Sequence, residues 1–144
     1  MNEPSADPQM LEVARALEAV VTWLRDSREP VGVSKSSLSA LSRLEVHGPL
    51  RITELAQREG LTQPGMTTMV KRLVAAGLAG KTADPDDARA VVVYVAPVGR
   101  EMLSTYRRTR TDFILARLER LDTDSRRANT AAVPALHQFV VEEK

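Results

Sequence analysis

A group of polar and basic side chains recurs at helical spacing near the middle of the chain. Its members are Gln63, Thr67, Thr68, Lys71 and Arg72. The amide and hydroxyl groups suit hydrogen bonds to base edges, and the two cations one turn later suit phosphates. The surrounding stretch, residues 60–83, contains no acidic residue that would repel a polyanion. The chemistry that this group predicts is recognition of double-stranded DNA.

Such side chains need a helix held against a second helix, and residues 52–73 predict that pair. The residues expected to face inward are Leu55, Ala56, Leu61, Met66, Met69, Val70 and Leu73. Gly60 can take the left-handed conformation that ends a helix, and Thr62 can cap the next one. Pro64 and Gly65 then lie in the first turn of the second helix, and both join the predicted DNA contacts. The spacing matches a helix-turn-helix, and the alternative is a bundled helix pair with a solvated polar face.

Extended patterning replaces helical patterning directly after the second helix. Residues 78–83 form one short extended segment, and the β-branched run 90–95 forms another. Between them lies the charged, turn-forming sequence Asp-Pro-Asp-Asp-Ala-Arg at residues 84–89. This pattern predicts a β-hairpin wing beside the second helix, with Arg89 at its tip. The alternative is a charged tip that only keeps the hairpin soluble.

Helical stripes flank this central lobe, which we place at residues 34–96. One stripe covers residues 8–29, and residues 100–141 carry a long helix followed by a final one. These outer helices offer more apolar surface than a small winged core can cover. We therefore expect a single domain over residues 1–144 that is mainly α with a small β-hairpin wing, and that forms a homodimer through its terminal helices.

Individual residues mark where the flanking helices begin and change direction. Ser34 or Ser36 can cap the helix that leads into the central lobe, and Asp122 or Thr123 can cap the final helix. Pro134 lies inside that final helix, so a kink or a break is expected there.

Composition argues against enzyme chemistry. The formal net charge is only +1, from 20 basic and 19 acidic residues, so any attraction to nucleic acid must be local. The absence of cysteine excludes disulfides, thiolate metal sites and thiol nucleophiles. His47 and His137 have no companions at metal-ligand spacing, and the acids at 84–87 lack the glycine and closing Glu of a calcium loop. We expect no catalytic residue, metal or cofactor.

The chain also lacks the patterns of membrane insertion and export. No apolar run approaches the length of a membrane span, and the start, MNEPSADPQ, is unlike a signal peptide. We therefore expect a cytoplasmic protein with no membrane partner.

The order helix, helix, helix-turn-helix, wing, long helix and final helix resembles the MarR (multiple antibiotic resistance regulator) family of winged-helix repressors. The most specific matches are Glu-Leu-Ala at residues 54–56, Val-Lys-Arg-Leu at 70–73 leading to Gly-Leu at 77–78, and the 84–89 turn followed by Pro-Val-Gly at 97–99. The resemblance covers nearly the whole chain.

This resemblance implies roles for individual residues and for partners. Asp87 and Arg89 match an Asp-x-Arg pattern in which the Asp braces the Arg and the Arg enters the minor groove. A homodimer joined by its first and last helices is implied, as is a small anionic or phenolic effector that weakens DNA binding. Its pocket would lie near Trp23, His47 and the start of the long helix, with no ligand-binding residue identifiable from the sequence.

Two positions depart from the family pattern. Ala88 stands where many relatives carry another Arg, and Ala96 replaces a Thr that often caps the long helix. The lack of cysteine separates this chain from the peroxide-sensing branch. The favoured function is a DNA-binding transcriptional regulator, and the alternative is a winged-helix module that mediates protein contacts without specific DNA binding.

Overall fold

A computed structural model describes residues 7–26 and 32–141. Its elements are α1 (Pro8–Asp26), α2 (Lys35–His47), β1 (Leu50–Arg51), α3 (Ile52–Arg58), α4 (Gln63–Ala75), β2 (Ala79–Ala83), β3 (Val91–Val95), α5 (Pro97–Leu118) and α6 (Thr123–Val141). The prediction of a mainly α winged helix-turn-helix is confirmed. The predicted end of the first helix, residues 27–29, lies outside the described residues. The chain consists of two compact units, which comprise residues 1–32 and residues 33–144.

Two helices of the second unit, α2 and α6, begin where the sequence places their caps. The Ser34 hydroxyl accepts a hydrogen bond from Ser37 N at 3.2 Å and starts α2. The Asp122 carboxylate accepts from Ser125 N at 2.8 Å and starts α6. Each cap satisfies a backbone N–H that the first turn of a helix leaves without an intrahelical partner. Helix α6 continues through Pro134, so of the two predicted alternatives, a kink or a break, the break is absent.

The turn between α3 and α4 is closed by backbone hydrogen bonds around Gly60. Leu61 N donates to Ala56 O at 2.9 Å, and Gly60 N donates to Gln57 O at 3.2 Å. Gly60 has a φ of +63°, which a residue with a side chain rarely adopts, and this combination is a Schellman helix end. The same device ends α4, where Leu78 N donates to Leu73 O at 2.9 Å.

Most of the predicted inward residues of the helix-turn-helix are buried. Those that are fully or almost fully covered are Leu55, Ala56, Met66, Val70 and Leu73. Met69 is half-buried. The prediction that Leu61 contributes to the buried wedge is wrong, because its side chain is 40% exposed. Its backbone N–H, rather than its side chain, closes the turn.

The wing belongs to a three-stranded antiparallel sheet with the order β1-β3-β2. Strand β1 was not predicted: Leu50 pairs with Val93 and Arg51 pairs with Val92, immediately before α3 begins. The short strand therefore ties the first helix of the helix-turn-helix to the wing. In the hairpin, Gly80 pairs with Tyr94. A Cβ at Gly80 would lie 2.3 Å from Tyr94 Cζ, so the ring covers the backbone of β2.

The start of α5 meets the end of α4 at very close range. Ala96 caps α5 without a side-chain hydrogen bond, but its N–H donates to Leu78 O at 2.9 Å. A Cβ at Gly99 would lie 2.1 Å from the same carbonyl oxygen. Only glycine permits this approach, which fixes the first turn of α5 beside the end of α4.

The terminal helices carry apolar side chains on their open surfaces. Helix α1 has no buried residue, and Leu11 and Val20 are among its exposed apolar side chains. Helix α6 exposes Val133, Leu136 and Phe139, the last at 69%. Throughout residues 7–26 and 32–141, no helix has both the length and the apolar character required for a membrane crossing.

Candidate nucleic-acid interface

Helix α4 separates the predicted DNA contacts from the core. Its buried side carries Met66, Val70 and Leu73. The contacts predicted on this helix are Gln63, Pro64, Gly65, Thr67, Thr68, Lys71 and Arg72. All of these are exposed except Thr67, which is half-buried. The structure thus brings the polar and basic group together on one accessible face.

The first turn of α4 is shaped by its cap. The Thr62 hydroxyl accepts from Gly65 N at 3.3 Å, and Pro64 occupies a position where the missing N–H leaves no hydrogen bond unmade. A Cβ at Gly65 would stand 3.1 Å from that hydroxyl oxygen. Pro64 and Gly65 therefore shape the helix start that presents Gln63.

The two threonines of α4 direct their hydroxyl protons toward their own helix. Thr67 Oγ1 donates to Gln63 O at 2.8 Å, and Thr68 Oγ1 donates to Pro64 O at 3.0 Å. Each hydroxyl then offers lone pairs outward, next to its methyl group. This arrangement leaves each threonine able to accept a hydrogen bond or make an apolar contact, whereas the Gln63 amide can also donate.

The wing tip is a compact turn built on Asp84. Asp84 N donates to Ala90 O at 2.9 Å, and the Asp84 carboxylate accepts from Asp86 N at 2.9 Å. Asp84 is 9% exposed and is the one buried charged residue among those described. Its carboxylate therefore stabilises the turn from inside.

The buried carboxylate is paired with Arg51 from the β1–α3 junction. Arg51 Nε lies 2.6 Å from Asp84 Oδ2, and Arg51 Nη2 lies 3.8 Å from Asp87 Oδ2. The backbone hydrogen bond from Asp86, followed by that from Arg51, holds the pKa of Asp84 below its ordinary value. The hydrogen bond to Asp84 likewise raises the pKa of Arg51. The ion pair therefore persists at neutral pH.

Asp87 acts on Arg89 through the backbone. Asp87 Oδ1 accepts from Arg89 N at 3.1 Å, while Asp87 Oδ2 faces Arg51. Among the described residues, the Arg89 side chain forms no ion pair and is exposed. The brace implied by the family resemblance thus orients the main chain at Arg89 and leaves its guanidinium available.

Sequence reasoning missed Arg51 as a contributor to this surface. Arg51 occupies the N-cap position of α3 but forms no side-chain cap hydrogen bond. A basic residue at a helix start, followed by an acid-rich turn in the same lobe, was the available signal.

Two further features lie away from α4 and the wing. Arg107 on α5 forms an interhelix ion pair with Glu45 on α2. A shallow depression of about 220 Å³ runs along the outer side of α2 and is lined by Ser39, Ser42, Arg43, Val46 and His47. Within the described part of the chain, no three His, Asp or Glu side chains are arranged to hold a metal ion.

The three-stranded sheet, the glycine-ended helix pair and the exposed basic face define a winged helix-turn-helix protein. The MarR family model matches residues 33–91. A helix-turn-helix-type transcriptional regulator of Mycobacterium leprae is 32% identical over 115 residues, which cover 80% of each chain. This chain belongs to the MarR family of DNA-binding transcriptional regulators, which are not enzymes.

One further relative and one solved structure of similar fold extend the comparison. The helix-turn-helix-type transcriptional repressor MdtR of Bacillus subtilis is 30% identical over 91 residues, which cover 60% of this chain and 59% of MdtR. The crystal structure of the transcriptional regulator Tm0710 of Thermotoga maritima superposes with a TM-score of 0.77 at 23% identity. That match covers 90% of this chain and 94% of Tm0710.

Proposed function

We propose that this protein is a homodimeric repressor that binds a pseudo-palindromic operator through α4 and the wing. The observation that carries the proposal is the exposed face of α4, where hydrogen-bonding groups occupy the first turns and cations follow. The N-terminal part of such a helix meets base edges in helix-turn-helix docking, and later residues approach the backbone. Asp87 and Arg89 at the wing would add a contact in the adjacent minor groove.

The terminal helices are the part of the chain to which we assign dimer formation. We assign residues 8–29 and 100–141 to dimerisation and residues 34–96 to the DNA-binding lobe of a single domain, residues 1–144. The exposed apolar side chains of α1 and α6 support this division, since a second copy would cover them. Two-fold symmetry would place two copies of α4 about one turn of DNA apart.

Repression is the regulatory outcome that we assign, and its support is the relative MdtR, which is named a repressor. A small anionic or phenolic effector would relieve it. Arg43 and His47 line the depression along α2, and Arg43 also pairs with Glu59 at 3.0 Å, next to the turn of the helix-turn-helix. An anion bound there would compete with Glu59 for Arg43.

The decisive test compares Gln63→Ala with Lys71→Ala and Arg72→Ala in binding isotherms at several salt concentrations. The duplex is selected from a random-sequence library with the wild-type protein. We expect Gln63→Ala to change base preference at one position of each half-site. Lys71→Ala lowers affinity for every sequence and reduces the salt slope by about one, because one phosphate contact and its counterion release are lost.

A matched control is Arg127→Ala, which removes a cation from α6. That side chain pairs with Asp124 at 3.8 Å and lies outside the proposed interface. A salt slope unchanged by both Lys71→Ala and Arg72→Ala would show that α4 does not lie on DNA. Failure of the wild-type protein to select any duplex would instead favour the rival function, a winged-helix module for protein contacts.

A further inference from the structure

We infer that Arg51 is a positioning residue for the wing, and that it acts on DNA binding through Arg89 without touching DNA itself. The inference rests on the proposed function, since it assigns a role in the same interface. Arg51 lies at the start of α3, the first helix of the helix-turn-helix, whereas the carboxylates that it meets belong to the wing tip.

Arg51 meets the wing turn at two points. Its Nε lies 2.6 Å from Asp84 Oδ2, at the base of the turn, and its Nη2 lies 3.8 Å from Asp87 Oδ2, nearer the tip. The other oxygen of each carboxylate accepts a backbone N–H of the turn, from Asp86 and Arg89 respectively. One guanidinium therefore faces both acids that determine the path of the turn.

The backbone of Arg51 is anchored in the three-stranded sheet. Its backbone pairs with Val92 in the central strand, and α3 begins at the next residue. Leu55 of α3 is fully buried against the lobe, so the base of the Arg51 side chain belongs to a rigid element. Arg51 therefore fixes the wing tip relative to α3, and so relative to the helix pair α3–α4.

The arginine side chain at residue 51 is suited to a contact with two carboxylates. A guanidinium presents several N–H donors in a fixed plane and can meet two carboxylates at once, whereas an ammonium is a single point charge. Arg51→Lys should keep the attraction to Asp84 and lose the second arm toward Asp87. Arg51→Gln removes the charge and leaves Asp84 buried without its partner.

Wing mobility provides a test that is independent of DNA. The chain has no cysteine, so Ala88→Cys introduces a unique attachment point for a spin label at the exposed wing tip. In the labelled full-length protein we expect Arg51→Gln to increase label mobility and Arg51→Lys to increase it less. Arg58→Gln is the matched control, because Arg58 lies on α3, the helix that follows Arg51, but pairs with Glu54 of that helix at 3.0 Å. Equal mobility in wild type and Arg51→Gln would overturn the inference.

The second test is a double-mutant cycle of Arg51→Gln and Arg89→Ala on the selected duplex. We expect Arg51→Gln alone to weaken binding roughly fivefold, within the usual range for one lost contact. In the Arg89→Ala background we expect almost no additional loss, because the positioned group is absent. Asp84→Asn should reproduce the Arg51→Gln result.

Three outcomes separate the possibilities. A full Arg51→Gln effect in the Arg89→Ala background would overturn the inference, because it would show that Arg51 meets a phosphate directly. The inference would also be overturned if Arg51→Gln left the affinity for DNA unchanged while Arg89→Ala weakened it. That result would leave the proposed function intact. If the wild-type protein selects no duplex, the proposed function fails, whereas the mobility result still reports whether Arg51 holds the wing.

Discussion

At the scale of single residues, Arg89 carries the exposed cation of the proposed wing contact. We expect Arg89→Ala to weaken operator binding by about 1–3 kcal/mol, because a narrow A·T-rich minor groove attracts an arginine through its enhanced negative potential. The measurement is an affinity series on duplexes whose flanks are A·T-rich or G·C-rich. The loss should be larger on A·T-rich flanks, and equal affinity of the folded variant and wild type would refute the wing assignment.

Asp84 gives the wing a dependence on pH. Its pKa in the folded chain is lowered, chiefly by the hydrogen bond from Asp86 N and then by Arg51. Its contribution to stability is therefore complete above the ordinary aspartate pKa of about 3.9 and is lost as pH falls through the lower folded value. We expect Asp84→Asn to reduce the acid slope of the unfolding free energy, measured by denaturant titration from neutral pH downward. Parallel curves for the two proteins would contradict this.

At the scale of elements, the joint between α4 and α5 depends on Gly99. We expect Gly99→Ala to destabilise the fold by about 1–3 kcal/mol, the usual cost of overpacking, because a methyl group would meet the Leu78 carbonyl oxygen. Thermal and denaturant unfolding measure this loss of stability. Gly32→Ala is the control, since a Cβ there meets no atom within 4 Å. Equal losses in the two variants would show that close approach is not what requires glycine at 99.

Much of this architecture is visible in the sequence because its signals are local. Ser34 and Thr62 each mark a helix start by the chemistry of one side chain, and Gly60 marks a helix end by its permitted backbone. Apolar spacing then selects the buried side of α4. These signals need no knowledge of distant parts of the chain.

The features that were missed depend on pairing between distant segments. Strand β1 has two residues, too few for an alternation to be recognised, and it exists because Leu50 and Arg51 lie beside β3. The Arg51–Asp84 pair joins positions 33 residues apart in sequence. The exposure of Leu61 likewise depends on which elements surround the turn. The placement of the α4 face could be predicted, whereas the anchoring of the wing could not.

At the scale of the whole molecule, the uncovered terminal helices determine the expected assembly. We expect Phe139→Glu to shift the protein from dimer toward monomer, since a charge on an apolar surface of α6 would have to be desolvated on association. Light scattering at micromolar concentration measures the change. Val98→Glu, which places the same charge at an exposed valine near the start of α5, is the control. A wild-type monomer, or identical masses for wild type and Phe139→Glu, would contradict the dimer proposal.

The contact of Gly99 and Ala96 with the Leu78 carbonyl also limits how the protein can change shape. Leu78 is the residue whose N–H closes the end of α4, and its carbonyl receives the N–H of Ala96. Helix α5 therefore cannot rotate relative to α4 without breaking these contacts. The junction is rigid and does not act as a hinge. In the proposed dimer, a rearrangement that alters the distance between the two copies of α4 would then have to bend α5 beyond Leu103, its last buried residue, or slide one copy against the other.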